Sequence, residues 1–95
     1  MHAYELMYIL VPDLSPEEIE EARASHKEFL EQSGAVDVEV SDFGRRELAY
    51  PIKPYTEGVY TLVTFQAAPA DAHQIKEKFQ ALPNIIRHLL IKLDK

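Results

Sequence analysis

The residues best suited to binding chemistry form a basic run in the middle of the chain. Between positions 44 and 55 three cations stand against one acid, Glu47, although the formal net charge of the chain is −6. Lysine and arginine side chains bind nucleic-acid phosphates without reading base sequence. The run therefore predicts phosphate contacts, with one weaker candidate near the C-terminus: Arg45, Arg46, Lys53 and Arg87. A solvated arginine pair on a strand is the alternative.

Chemistry of other kinds is poorly represented. The chain has no cysteine, which excludes disulfides and thiolate chemistry and fits a cytoplasmic protein. No phosphate-binding glycine loop or nucleophile motif is visible, and the histidines have no metal-ligand spacing. We therefore predict no enzymatic activity, metal, cofactor or small-molecule substrate. His26 lies on the apolar stripe of a predicted helix, where a buried core histidine is the favoured interpretation.

The first half of the chain must position the basic run. Residues 3–11 predict a strand that is apolar on both faces, and Ser15-Pro16-Glu17-Glu18 predicts a capping box that starts a helix ending before Gly34. Six acids against two cations between positions 15 and 33 place most of the negative charge on that helix. Val36, Val38 and Val40 then predict a strand with one face in the core, continuing through position 52.

Two residues of the basic run carry structural information of their own. Gly44 predicts a bulge or kink, and Pro51 predicts an edge strand or the end of a strand, since proline offers no N–H to a neighbouring strand. Residues 54–58 predict the turn of a long hairpin, and 59–67 a third strand. A second helix follows from Pro69 to Pro83-Asn84, and the last strand covers 85–93.

The predicted order is βαββαβ in a single domain covering residues 1–95. Right-handed crossovers put both helices on one face of a four-stranded antiparallel sheet with the first and third strands central, an α+β ferredoxin-like sandwich. Alternation assigns to the helices Leu6, Tyr8, Leu10, Val63, Phe65 and Leu90. It assigns a second set to the helix-free surface, which we predict to bind a protein partner. This set is Met7, Ile9, Tyr60, Leu62, Leu89 and Ile91, with Glu5 and Arg87 beside them.

The basic run also closely resembles the signature of the ribosomal protein S6 family of the bacterial small subunit. The matching residues are Gly44, Arg46, Glu47, Leu48, Ala49, Tyr50, Ile52 and Lys53. Further matches extend the resemblance over essentially the whole chain: Tyr4-Glu5, Pro12, Leu14-Ser15, Glu57-Gly58, Asn84 and Arg87-His88-Leu89. The resemblance implies a structural constituent of the small ribosomal subunit, in the cytoplasm, without catalysis.

The resemblance implies partners as well. The family binds the central domain of 16S-type ribosomal RNA together with ribosomal protein S18, so we expect the basic run to contact RNA and the helix-free face to bind S18 as a heterodimer partner. Relatives often carry arginines where this chain has His2-Ala3, and many carry a charged tail beyond the position of Lys95. We expect those contacts to be missing.

One alternative comes from the fold alone. Acylphosphatases, amino-acid-sensing modules and RNA-recognition motifs share it. Leu62 follows Tyr60 on the same strand face, which disfavours the base-stacking aromatics of an RNA-recognition motif. A non-catalytic ligand-sensing or self-associating module remains the second hypothesis. No apolar run approaches the roughly 20 residues of a membrane span, and no signal peptide is visible.

Overall fold

The computed structural model describes residues 1–93, which form one sheet and two helices. The elements are β1 (His2–Leu10), α1 (Pro16–Gln32), β2 (Val36–Ile52), β3 (Tyr55–Ala67), α2 (Pro69–Phe79) and β4 (Ile85–Lys92). All strand pairs are antiparallel, in the order β2-β3-β1-β4, so β1 and β3 are central. The predicted ferredoxin-like fold is confirmed.

Helix α1 begins where its local signals predict. The Ser15 hydroxyl accepts a hydrogen bond from the Glu18 N–H at 3.2 Å, and the Glu18 carboxylate accepts one from the Ser15 N–H at 2.8 Å. These bonds satisfy amides that have no partner within the helix, and Pro16 at the first position has no N–H to satisfy. Ser33 caps the other end, immediately before Gly34.

The core lies between the helices and one face of the sheet. Phe79 of α2 is completely buried at its centre, with ring centroids 5.1 Å from Tyr8, 5.4 Å from His26 and 5.6 Å from His88. The residues that alternation assigned to the helices are buried in this core or pack against it: Leu6, Tyr8, Leu10, Val63, Phe65 and Leu90. We call this side of the sheet the covered face.

The start of β2 differs from the prediction. Val36 and Val40 are exposed, and only Val38 of the three predicted core valines packs against the core. Asp37 has a φ of 53°, and the β2–β3 register shifts between Val36 and Glu39. A residue with positive φ breaks the strand alternation, so the valine pattern does not translate into one buried face.

The predicted turn over residues 54–58 is wrong. Strand β3 already begins at Tyr55, and Gly58 lies in the sheet opposite Arg46. Glycine is needed there for space, since an added Cβ would lie 2.3 Å from Cγ2 of Ile9. A glycine required by close packing was therefore interpreted as a turn residue.

Helix α2 is shorter than predicted, because it ends at Phe79 instead of at Pro83-Asn84. The Leu82 N–H donates to the Phe79 carbonyl at 3.1 Å, which forms a tight turn beyond the helix. Leu82 still packs against the core, so the apolar spacing continues although the helix does not.

Candidate functional site

The basic run begins at a bulge in the edge strand β2. Gly44 has a φ of 78°, the left-handed conformation that glycine adopts without strain, and the β2–β3 register shifts between Asp42 and Gly44. The Gly44 N–H donates to the Asp42 carboxylate at 2.7 Å, which fixes the bulge. The predicted bulge and the predicted edge position of this strand are both confirmed.

Arg45 and Arg46 lie on opposite sides of β2. Arg45 is opposite the core residue Val59, and its guanidinium donates to the Pro12 carbonyl at 2.6 Å. It also lies 3.3 Å from the Glu57 carboxylate. Because successive strand residues point to opposite faces, Arg46 points the other way. The structure thus divides what the sequence presents as one cluster.

Arg46 is held by its own strand. Its Nε donates to the Phe43 carbonyl at 3.0 Å, and its guanidinium lies 6.0 Å from the centre of the Phe43 ring. Both arginines are exposed, and so is Lys53 in the turn between β2 and β3. All three candidate cations of the basic run are therefore accessible along one edge of the sheet.

The predicted partner residues lie together on the helix-free side of the sheet, which we call the open face. Strand pairing arranges them in rows across β3, β1 and β4. The rows are Thr64–Glu5–Ile91, Leu62–Met7–Leu89 and Tyr60–Ile9–Arg87. Every residue predicted for this surface is therefore contiguous with the others, including Arg87.

Exposure varies along the open face. Leu89 is 57% exposed and Ile91 43%, whereas Ile9 is only 9% exposed. The reason is the distal part of the β2–β3 hairpin, which bends over the row that contains Ile9. Leu48, Tyr50 and Ile52 line a small cleft there together with Ile9, Tyr60 and Arg87. One end of the predicted partner surface is thus partly covered by the chain itself.

Arg87 contacts this hairpin, not the other cations. Its guanidinium donates a hydrogen bond to the Tyr50 hydroxyl and lies 5.4 Å from the centre of the Tyr50 ring. An arginine over an aromatic ring gains cation–π attraction while its charge stays accessible. Arg87 is exposed, so it presents a positive charge at the margin of the open face.

A polar chain connects α1 to the bulge. Arg23 donates from Nε to the Thr61 hydroxyl at 2.9 Å and from Nη2 to the Asp42 carboxylate at 2.8 Å. The Arg23 hydrogen bond and then the Gly44 N–H lower the pKa of Asp42. A groove of about 420 Å³ lies beside this contact, between the start of α1 and β2. These hydrogen bonds fix the position of the bulge relative to helix α1.

Two buried polar side chains extend this arrangement into the core. Burial raises the pKa of Tyr8 to about 12, with smaller opposing effects from the Arg23 charge and a hydrogen bond with Thr61. The Tyr8 hydroxyl lies 3.1 Å from Nδ1 of His26, whose pKa is lowered by burial. His26 is 6% exposed, so its prediction as a core histidine is confirmed.

Sequence reasoning missed three residues at these sites. Arg23 is counted there only as a cation on an acidic helix, and Leu48 and Tyr50 only as residues of the basic run that match the family signature. The alternation of Leu48, Tyr50 and Ile52 does predict that these three side chains lie on one buried face of the strand. It carries no information that the hairpin bends far enough for Tyr50 to meet Arg87.

Within residues 1–93 no group of three or more histidine, aspartate or glutamate side chains is arranged to hold a metal ion. No helix among the described residues has the length and apolar character to span a membrane.

Comparison with known proteins gives a consistent result. The family described as ribosomal protein S6 matches residues 3–92. Small ribosomal subunit protein bS6 of Picosynechococcus sp. is 40% identical over 91 residues, which cover 96% of this chain and 79% of that protein. The bS6 protein of Clostridium novyi is 35% identical over 95 residues and is matched over the full length of both chains.

A solved structure is similar as well. The crystal structure of 30S ribosomal protein S6 from Thermotoga maritima superposes with a TM-score of 0.84 at 29% sequence identity. The match covers 96% of this chain and 86% of that one. Sequence and fold therefore point to the same relatives.

Proposed function

Because the chain belongs to the ribosomal protein S6 family, we propose that it binds 16S-type ribosomal RNA together with ribosomal protein S18. Its relatives are proteins of the small ribosomal subunit, so the chain is a small-subunit protein of the cytoplasmic ribosome. We propose two contacts for this chain, one with RNA and one with S18.

The open face supports the protein contact. Its rows bring Met7, Leu62, Leu89 and Ile91 into one apolar surface, with Glu5 and Arg87 as polar neighbours. An apolar centre with a charged margin is the usual composition of a protein interface. This contiguity is the observation that carries the proposal, because it did not have to follow from the sequence pattern.

The arginines at the β2 edge support the RNA contact. Since Arg45 and Arg46 lie on opposite sides of the strand, they reach two different phosphates along a backbone that crosses the edge. Arg45 is also held in place by the Pro12 carbonyl and Glu57, which lowers the entropy lost on binding. Both contacts position RNA and leave base sequence unread.

The charge of the chain supports joint binding. With a net charge of −6, the protein alone is repelled by RNA at long range. A basic partner on the open face offsets this repulsion and brings further cations beside Arg87. Binding of S18 therefore precedes or accompanies binding of RNA.

The partner contact is tested by titrating purified S18 with variants of the open face. Leu62→Ser and Leu89→Ser should each weaken binding by roughly tenfold, since truncating a central interface residue costs about 1–2 kcal/mol. Val40→Ser is the matched control, an exposed apolar residue on the opposite edge strand. Unchanged affinity in folded Leu62→Ser and Leu89→Ser proteins would place the partner elsewhere.

The RNA contact is tested in the presence of S18 by measuring affinity against salt. Each lost phosphate contact lowers the slope of log affinity against log salt by about one. Arg45→Ala and Arg46→Ala should each do so, and the double variant should lose both. Lys27→Ala, an exposed lysine on the acidic helix, is the control. An unchanged slope in the double variant rejects the RNA contact at this edge.

We also infer that the protein has no catalytic role and no resident metal. The support is the family, whose members are ribosomal structural proteins, together with the absence of a metal-ligand group in residues 1–93. Elemental analysis of purified protein should show no stoichiometric metal. One bound zinc or iron per chain would contradict the inference.

A further inference from the structure

The two edges of the sheet differ in how well they could accept another strand. Edge strand β2 is irregular, with register shifts near Asp37, at Gly44 and again before Ile52, and it contains Pro51. Bulges and proline are the usual features that protect an edge from pairing with another chain. Strand β4 pairs with β1 without interruption from Arg87 to Lys92 and contains no proline. Among the described strands, β4 is thus the edge open to addition.

The backbone groups that β4 offers to solvent can be identified. The Leu93 N–H donates to the Ala3 carbonyl of β1 at 2.9 Å. Because strand backbone groups point to alternate sides, the amides of Leu89 and Ile91 also point towards β1. Those of the intervening residues point outwards, away from every described strand: His88, Leu90 and Lys92.

We propose that a second copy of this chain pairs with β4 in an antiparallel arrangement, about a two-fold axis at Leu90. This register matches outward groups with outward groups. Leu90 lies opposite Leu90 of the second copy, and His88 lies opposite Lys92. The two sheets then become one continuous eight-stranded sheet, in which the interface is the same surface on both copies.

Side chains match in this register. On the open face, Leu89 lies opposite Ile91 of the second copy, and Arg87 lies opposite Leu93. Leu89, Ile91 and Leu93 are 57%, 43% and 50% exposed, which makes β4 rich in exposed large apolar side chains. Directly opposite pairs in a sheet contact each other, so the register covers all three. No pair of acids and no pair of permanently charged cations face each other.

The two-fold register limits charge repulsion between the two copies. Arg87 and Lys92 both lie on the pairing strand, and the register sets Arg87 against Leu93 and Lys92 against His88. Burial and then nearby Lys76 of α2 lower the pKa of His88, so this pair is not one between two permanent cations. A single strand-to-strand contact buries less than about 1,200 Å², the range of weak and transient interfaces. The dimer is therefore reversible and grows with protein concentration.

Sedimentation of the full chain over a range of concentrations tests the proposal. The weight-average mass should rise towards that of a dimer, and amide hydrogen exchange at His88, Leu90 and Lys92 should slow in parallel. Lys92→Pro removes one outward N–H without removing a bond to β1, and Ile91→Lys places a charge in the interface. Each should shift association to at least tenfold higher concentration. Val40→Lys, an equivalent change on the β2 edge, should leave it unchanged.

Three results would overturn the proposal. A chain that is monomeric at every concentration excludes the dimer. If Val40→Lys abolishes association and Lys92→Pro does not, the two copies associate through the β2 edge. If Leu62→Ser abolishes association and Lys92→Pro does not, the two copies associate through their open faces. None of these results bears on RNA or S18 binding, so the proposal and the proposed function fail separately. Circular dichroism confirms that each variant is folded.

Discussion

The two faces of the sheet are made by the same strands and differ in what covers them. On the covered face, Leu6, Tyr8 and Leu10 are completely buried beneath the helices. Their neighbours in sequence, Met7 and Ile9, lie on the open face, where Ile9 also lines the cleft beneath the bent hairpin. One residue of sequence therefore separates a position buried beneath the helices from a position on the helix-free side of the sheet.

This difference explains why β1 is apolar on both sides. A strand with one solvent-exposed face normally alternates apolar and polar residues. Strands that are apolar on both faces are typically buried on both faces. Within residues 1–93, both helices lie on the covered face, and the hairpin covers the open face of β1 near Ile9. Under the proposed function the apolar residues of the open face serve the partner contact, and we expect them to add little to the stability of the isolated chain.

The largest expected effect separates the two faces directly. Phe79→Ala removes the completely buried ring at the centre of the core and should lower the free energy of unfolding by about 3–5 kcal/mol. Leu89→Ala on the open face should lower it by less than about 1 kcal/mol, because this side chain is mostly exposed. Urea denaturation monitored by circular dichroism measures both. Comparable losses would mean that the open face is part of the stabilising core.

An intermediate effect is expected where the hairpin meets the open face. Gly58→Ala puts a Cβ 2.3 Å from Cγ2 of Ile9 and 3.1 Å from the Leu10 carbonyl, and it should cost about 1–3 kcal/mol. Gly44→Ala is a useful control, because its Cβ would meet no atom within 4 Å. Its cost comes only from the positive φ and should be about 1 kcal/mol. If Gly44→Ala proves the more harmful, close packing does not explain Gly58.

The smallest expected effect on stability comes from three titratable side chains in or beside the core. Burial lowers the pKa values of His26 and His88 below 6.5, so the unfolded chain takes up protons first as the pH falls. The free energy of unfolding should therefore be highest above about pH 6.5 and should decrease towards pH 5. Asp42, whose pKa is lowered from 3.8, adds a separate loss at more acidic pH.

His26→Gln tests the histidine contribution by denaturation at several pH values. Glutamine keeps a hydrogen-bonding group near the Tyr8 hydroxyl but cannot titrate. The slope of stability between pH 7 and pH 5 should be shallower in this variant than in the parent. An identical slope would show that His26 takes no part in the acid response.

The fold was predictable because its signals are local. The Ser15 capping box, the alternation of β1 and the Pro51 edge signal each involve neighbouring residues, and each is confirmed by the structure. The two ends that were misplaced depend on tertiary contacts. Gly58 is required by Ile9, and Leu82 packs in the core although the helix has ended.

The candidate sites were predictable only in part for the same reason. Alternation alone assigned Leu62, Leu89 and Ile91 to one face, and strand pairing places them together. Clustering in sequence predicted phosphate contacts by Arg45 and Arg46 but did not show that the strand sends these two side chains to opposite sides. The approach of Tyr50 to Arg87 depends on the bend of a long hairpin, which no short sequence pattern encodes.

The contact between Tyr50 and Arg87 joins strands that lie at opposite edges of the sheet. This one side-chain contact bridges the open face at the end near Ile9. Ile9 is 9% exposed and Ile91, in the row of Glu5, is 43% exposed, so in the proposed complex the end near Glu5 is the more accessible one. A displacement of the hairpin would act on Arg87 of β4 directly, without passing through the two central strands.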